Sequence, residues 1–486
     1  MFNVKNEIFR LICFFKGQNH SQNHYQLSVT ESSTNPGLGL KTIPSVRTRN
    51  PLGSTFAFQR DPLDFLSTIV HQYGDIVQFR LLTTPMIVIN HPDYFERVLV
   101  GNNQNYDKDA FLFRVVRPVI KNGLIGNPGG ESWFRQRRLM QPAFHRESIA
   151  NFGKNMTSKT LEMLQRWEKK NQGQIINVTD EIGYLVLQIV NKSLFSIDVG
   201  DKARIFEQAF TEANSILGAF ARFPFPPLSV PTPSHRRLWA AIRNMNEFVS
   251  LVIQQHQQSK ENYCDLLSML MHAVDEETGQ GMSIEQLHDE VLNIAVGSYE
   301  TTTNTLSWVW YLLAQHPDVE QQLHAELDTV LAGRVPTIND LPNLPYVRMV
   351  IDETLRLYSP AWQTMRRARE EDEIDGYRIP ANAIIFLNQH TLHRHPAFWD
   401  EPERFDPKRF SPEQVAKRPR YAYIPFNAGP RTCIGNNFAL TEIQLVLATI
   451  AQHYRLVLPS GHPPVEKLAL ITLHPKNGVR MRLEHR

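Results

Sequence analysis

A chain of 486 residues is long enough for two or three average domains, or for one unusually large single-core body. Its composition, 42% hydrophobic and 21% charged, is that of an ordinary globular protein and excludes both a disordered and a membrane-embedded chain. A formal net charge of +2 gives no global basic field, so neither nucleic acid nor an acidic polymer is an expected partner.

The first apolar run, Ile8 to Phe15, is broken by Arg10 and falls well short of the roughly 20 residues that span a bilayer. No transmembrane segment is expected. No small-residue cleavage pattern follows closely, which makes a cytoplasmic location the expectation, with peripheral amphipathic contact as the one membrane association left open. From Gln18 to Asn35 the chain is rich in Gln, Asn, Ser, Thr and His with almost nothing to bury. Residues 1–43 therefore read as a flexible tail and 44–486 as one folded body beginning near Pro44. The three cysteines, Cys13, Cys264 and Cys433, are odd in number and scattered, which argues against a disulfide framework and for a reducing compartment.

Ile76 to Ile89 holds two β-rich runs around Thr83-Thr84-Pro85, and Asp375-Gly376 and Asn477-Gly478 are further hairpin signals. Strands are thus few and cluster near the two ends. Between them lies helix-period sequence punctuated by Pro and Gly, with no internal repeat, so the expected class is mainly α with a small β region. Phe223 to Ser234 carries Pro224, Pro226, Pro227, Pro231 and Pro233 and must be a loop between two helices. The longest helix starts after Ser283, whose S-x-x-Q spacing to Gln286 is a capping box, and runs until His316-Pro317 stops it. At about 1.5 Å per residue it is roughly 48 Å long and crosses the whole body. Its middle, Gly297 to Thr305, is a cluster of poor helix formers, and local rules broken inside an element often mark function.

The most informative segment is Phe426-Asn427-Ala428-Gly429-Pro430-Arg431-Thr432-Cys433-Ile434-Gly435, which fits F-x-x-G-x-R-x-C-x-G. A lone cysteine is ordinarily a small buried hydrophobe. Here Gly429 and Gly435 permit a tight loop around the sulfur, and an apolar helix-period run from Phe438 places Cys433 just before a helix N-terminus, which favours thiolate.

On this segment the chain resembles the cytochromes P450, of the soluble bacterial type, and the resemblance extends from about Pro44 to the C-terminus. It implies the cytochrome P450 fold, haem b held by the Cys433 thiolate, Phe426 packed against the ring, Arg431 on a propionate, and Gly435 in the binding loop. Trp133 and Arg137, four apart on one helix face, match the family's W-x-x-x-R and would donate to a propionate. Arg366 resembles a further propionate partner. Glu353 and Arg356 match E-x-x-R, which in the family locks to an arginine of a P-x-R-F-like segment, here Arg404 in Pro402-Glu403-Arg404-Phe405. These three are expected to brace the pocket, although taken alone an i, i+3 pair is as often an ordinary surface ion pair.

Gly297 to Thr302 matches the family's (A/G)-G-x-(D/E)-T-(T/S) on the helix facing the oxygen site, with Ser298 at the second small position. Thr301 is expected to bond the Gly297 carbonyl one turn back, opening a groove, and Glu300 with Thr301 to relay the protons that oxygen activation requires. The implied reaction is monooxygenation of a small apolar organic substrate, a fatty acid, terpenoid or polyketide-like compound, by O2. Electrons would come from NAD(P)H through a separate partner, a ferredoxin or a flavodoxin or reductase. The outward arginines Arg135 and Arg138 are candidate docking points for it. Phe111, Phe113, Val296, Gly297, Ala361, Trp362, Met365 and Ile471 are expected to form the substrate pocket, with Arg114 or Arg117 able to hold a carboxylate at its entrance. The rival readings are a peroxide-using or isomerising haem-thiolate enzyme, and a haem-thiolate gas sensor.

Overall fold

The computed structural model describes residues 40–169, 173–197, 202–258 and 265–486. The expected tail, apart from its last few residues, and Cys13 and Cys264 lie outside the described residues. The body is already paired at its start, where Lys41 N–H donates to Gly376 O at 2.7 Å and Pro44 O accepts from Gln78 N–H at 2.8 Å.

Helices dominate. The long helix, Ile284–Gln315, starts at Ser283, whose hydroxyl accepts from Gln286 N–H at 3.1 Å. Only this half of the box forms, because the Gln286 carbonyl turns away to accept from Arg135 Nη1 at 3.5 Å. The helix runs through the core, with Leu306, Trp308, Val309 and Trp310 fully buried. It packs against Val178–Leu194 on one side and against Pro345–Leu357 and Asn436–His453 on others. The poor helix formers at its centre are tolerated because their hydroxyls are satisfied within the helix. Thr301, Thr303, Thr305 and Ser307 each donate to the carbonyl four residues back, at 2.7–2.8 Å. The helix continues through them. The proline-rich stretch is a loop joining Lys202–Arg222 to Pro233–Gln258, with Pro233 at the first helical position, where its missing N–H costs nothing.

The expected hairpin forms, Ile76–Leu81 pairing antiparallel with Thr84–Ile89. It joins Ile384–Leu387, Thr364–Ala368 and Tyr106–Asp107 in one five-stranded sheet, so the strands of the two ends of the chain meet. Asp375-Gly376 turns between Asp372–Ile374 and Tyr377–Ile379, both turn residues at positive φ, as a two-residue hairpin of this twist requires. Asn477-Gly478 also turns at positive φ but joins strands of two different sheets: Leu473–Pro475 pairs with Lys467–Ala469, and Arg480–His485 pairs with Ile175–Asn177 and Tyr454–Val457. It is a corner between sheets, and the strand Ile175–Asn177 lies far from either end of the chain.

Candidate active site

A cavity of about 420 Å³ lies between the long helix and the segment around Cys433. Its wall is mostly apolar, with Leu112, Phe113, Val116, Val296, Phe438 and Ile471 among the contributors. Among the described residues Glu300 is the one carboxylate on it.

The Cys433 loop is fixed by its backbone. Cys433 N–H donates to Phe426 O at 2.9 Å, Asn427 takes φ 64°, and Gly429 takes φ 69°. A Cβ on Gly429 would stand 1.9 Å from Leu99 O, so this glycine is obligatory. Gly435 is not needed for its conformation: it has φ −90°, and a Cβ there would make only an ordinary contact with Phe144, at 3.9 Å. Its role is to precede the helix Asn436–His453 and to aim its N–H at the sulfur. The sulfur opens onto the cavity although protein surrounds the residue. Burial pushes the thiol up, against the opposing pull of the Gly435 N–H, Arg137 and Lys108. The pre-helix position alone therefore does not make a thiolate, and its proton leaves when the sulfur binds a cation.

Four basic side chains gather around the Cys433 end of the cavity, with Asp107 of the adjoining pocket as the acid acting on Arg366 and Arg431. Lys108, Arg137 and Arg431 line the cavity, and Arg366 stands behind them in an adjoining pocket of about 250 Å³ that Arg431 shares. Burial and the charges of Arg431 and Arg366 push the Lys108 ammonium well below the lysine range. Burial brings Arg366 down to about 9 and Arg431 down to about 10. Arg366 is 2% exposed, and its Nη2 has no partner. A buried cluster of this kind calls for an anionic guest. The residues fit haem b: a sulfur for the iron, apolar walls for the macrocycle, and cations for the propionates.

Expected polar contacts are only partly free. The Trp133 indole N–H donates to Leu124 O at 3.2 Å, while its ring lies under the Arg431 guanidinium at 4.2 Å. Arg137 Nη1 donates to Thr432 O at 2.8 Å, and Arg431 donates to the carbonyls of Asn127 and Pro128. Lys108 escaped the sequence reading, since no motif surrounds it.

Glu353 and Arg356 are fully buried, not a surface pair. Arg356 spends five N–H donors: two on Glu353 at 2.7 and 2.8 Å, and three on the carbonyls of His393, Pro402 and Arg404. The third arginine is Arg409, not Arg404. Arg409 Nε lies 3.4 Å from Glu353, whereas the Arg404 side chain is 61% exposed and pairs with Glu401. Pro407-Lys408-Arg409-Phe410 is a second P-x-R-F five residues downstream, which the sequence offered equally.

Thr301 Oγ1 donates to Gly297 O at 2.8 Å, as its spacing predicts. The Ser298 hydroxyl turns back to Ile294 O at 2.6 Å and so does not project into the cavity as an unsatisfied polar group. Glu442, from the helix after Cys433, accepts from Thr302 at 3.4 Å, and burial pushes its carboxyl up to about 8. It joins the two helices as a neutral acid at neutral pH.

Of the expected pocket residues, Phe113, Val296, Gly297, Ala361 and Ile471 line the cavity; Phe111, Trp362 and Met365 do not. Phe111 is rotated off the helix face that carries Leu112, Val116 and Val119. Trp362 is core, donating to Leu470 O at 3.1 Å. Met365 lies on the opposite strand face from Thr364, which lines the cavity in its place. Arg114 is held bidentate by Asp109 at 2.9 Å, and neither it nor Arg117 lines the cavity. Arg135 donates to the carbonyls of Gln280 and Gly281, and Arg138 pairs with Glu131, Asp275 and Glu277. Both fasten the segment before the long helix; Arg138 is ion-paired, whereas the Arg135 partners are neutral oxygens.

Fold and site define a haem-thiolate oxygenase, and the chain belongs to the cytochrome P450 family, whose model, described as Cytochrome P450, matches residues 46–480. It is therefore a monooxygenase that binds haem b and uses O2 with a redox partner. Its relatives include the cyclooctat-9-en-7-ol 5-monooxygenase of Streptomyces melanosporofaciens, 36% identical over 83% of this chain and 87% of that protein. Pentalenene oxygenase of Streptomyces avermitilis is 32% identical over 90% of this chain and 95% of its own length. Among solved structures, the haem domain of cytochrome P450DA superposes with a TM-score of 0.83 at 27% identity, covering 92% of this chain and 98% of that one. No helix among the described residues is long and apolar enough to cross a membrane.

Proposed function

We propose that the protein hydroxylates a neutral polycyclic terpenoid, with Cys433 as the residue that would hold the haem iron and Glu300 and Thr301 as its proton-delivering pair. The observation that carries this reading is the apolar cavity opening on the Cys433 sulfur, with Glu300 as its one carboxylate among the described residues. Haem bound there supplies the reductive activation of O2 and the oxidation of a C–H bond. Lys108, Arg137, Arg366 and Arg431 neutralise the propionates, and Phe426 packs beside the sulfur. Phe113, Val296, Ala361 and Ile471 hold the substrate by apolar contact and exclude water. Thr301, anchored on Gly297, presents its hydroxyl to the cavity and passes protons received through Glu300. Electrons come from NAD(P)H through a separate ferredoxin- or flavodoxin-type partner.

A neutral substrate is favoured over a fatty acid because Arg114 is paired with Asp109 and, among the described residues, the cations that line the cavity are Lys108, Arg137 and Arg431, all of the propionate set. The names of the two Streptomyces relatives, which concern a cyclooctatenol and pentalenene, point the same way. The test is a titration of the haem-loaded protein with cyclic terpenes and with long-chain fatty acids, watching the haem spin-state change. Terpenes are expected to shift the spectrum and Arg114→Ala to leave that shift unaltered. A shift by fatty acids alone, lost in Arg114→Ala, would reverse the choice of substrate.

A further inference from the structure

Glu300 does not end in solvent. Its carboxylate meets two elements: Asn214 of Lys202–Arg222 donates to Oε1, and His474 of Leu473–Pro475 has Nε2 2.7 Å from the same oxygen, with Thr472 Oγ1 2.9 Å from that Nε2. The amide of Asn304, one turn along the long helix from Glu300, reaches His474 Nδ1 at 3.4 Å. The carboxylate oxygen can only accept, so its 2.7 Å approach to Nε2 calls for an N–H there, at a nitrogen that Thr472 Oγ1 and Asn214 Nδ2 also approach at 2.9 Å. Glu300 is nearly enclosed, at 8% side-chain exposure, whereas His474 is 21% exposed. Tyr299, the preceding residue, feels the Glu300 charge and donates to Glu207 at 3.2 Å. Asn214, Glu300 and Thr472 all line the cavity.

We propose that His474 is the positioning residue that refills Glu300 with protons from solvent, held in register by Asn214 and Thr472. The proposal rests on the reading of Glu300 and Thr301 as the proton-delivering pair. Nδ1 takes a proton from a solvent hydronium ion, which is left as water, in place of the long Asn304 contact. The Nε2 proton then crosses to the Glu300 carboxylate, one N–H bond breaking as one O–H bond forms; the ring is left neutral with its proton on Nδ1, and exchange with solvent returns it to the Nε2 tautomer before the next transfer. No electron moves, and one proton has travelled inward. Histidine suits the step because its ring both accepts and donates near neutral pH.

The experiment compares His474→Gln, which keeps an amide N–H for Glu300 but cannot carry a proton, with Glu300→Gln, in the haem-loaded enzyme with pentalenene as test substrate. His474→Gln is expected to divert electrons to hydrogen peroxide as Glu300→Gln does, to slow coupled turnover by about 10²-fold, the lower range for a general acid, and to raise the solvent isotope effect. The double variant should be no worse than Glu300→Gln alone. Normal coupling and isotope effect in His474→Gln beside an uncoupled Glu300→Gln would overturn the role of His474 and leave the Glu300 reading standing. Normal coupling in both would overturn the two together. A measurement that needs no variant is nitrogen-15 NMR of the ferrous carbon monoxide form: a ring protonated at Nε2 is expected, and a neutral ring protonated at Nδ1 would overturn the proposal.

Discussion

Cys433→Ser is expected to abolish the thiolate-type carbon monoxide spectrum and substrate oxidation while leaving the protein folded. The loop is set by backbone, through the Cys433 N–H to Phe426 O bond and the left-handed Asn427 and Gly429, so a hydroxyl in place of the thiol disturbs little of it. What is lost is the soft anionic ligand. A serine hydroxyl releases its proton far less readily than a thiol and pushes less charge onto iron. Circular dichroism should be unchanged, and absorbance of the reduced protein with carbon monoxide should lose the thiolate signature. Retention of that signature would remove Cys433 from the iron.

The second large effect belongs to Arg356. Its guanidinium makes five hydrogen bonds inside a site with no solvent exposure, two of them to Glu353, while Asp406 N–H and Arg409 also meet that carboxylate. Burial raises the Glu353 carboxyl and the Arg356 charge opposes it, so removing the arginine leaves an acid buried with too few partners. Lysine offers three donors in place of a rigid five-donor fork. Arg356→Lys is therefore expected to lose roughly 3–5 kcal/mol, the range for breaking a buried pair, and most of its haem. Glu353→Gln should follow it, and Arg404→Ala should cost less than about 1 kcal/mol, as exposed ion pairs do. Thermal unfolding with haem content measured alongside checks all three. Equal losses in Arg404→Ala and Arg356→Lys would contradict the geometry.

The legible parts of this protein are those that local chemistry dictates. The Cys433 loop, the Ser283 start, the proline-rich loop, and the Thr301 to Gly297 bond follow from spacing, because turns and helix rows are set by neighbours in sequence. Long-range partners were harder. Arg404 sits in one of two P-x-R-F segments that stand five residues apart, and only the tertiary path of the chain decides that Arg409 of the other reaches Glu353. Phe111, Trp362 and Met365 are apolar and near the site in sequence, yet helix rotation and strand alternation turn them into the core. Arg135 and Arg138 looked free because their partners come from a segment about 140 residues away. His474 carries no motif and is brought to Glu300 by a sheet corner that the sequence suggested as a hairpin.

The most direct test of the central claim supplies the purified haem-loaded protein with a ferredoxin system, NADPH, a cyclic terpene and isotopically labelled O2. The account predicts one labelled oxygen atom in the terpene product and the other in water. Oxygen drawn from unlabelled water, or product formed with peroxide but never with O2 and electrons, would contradict it.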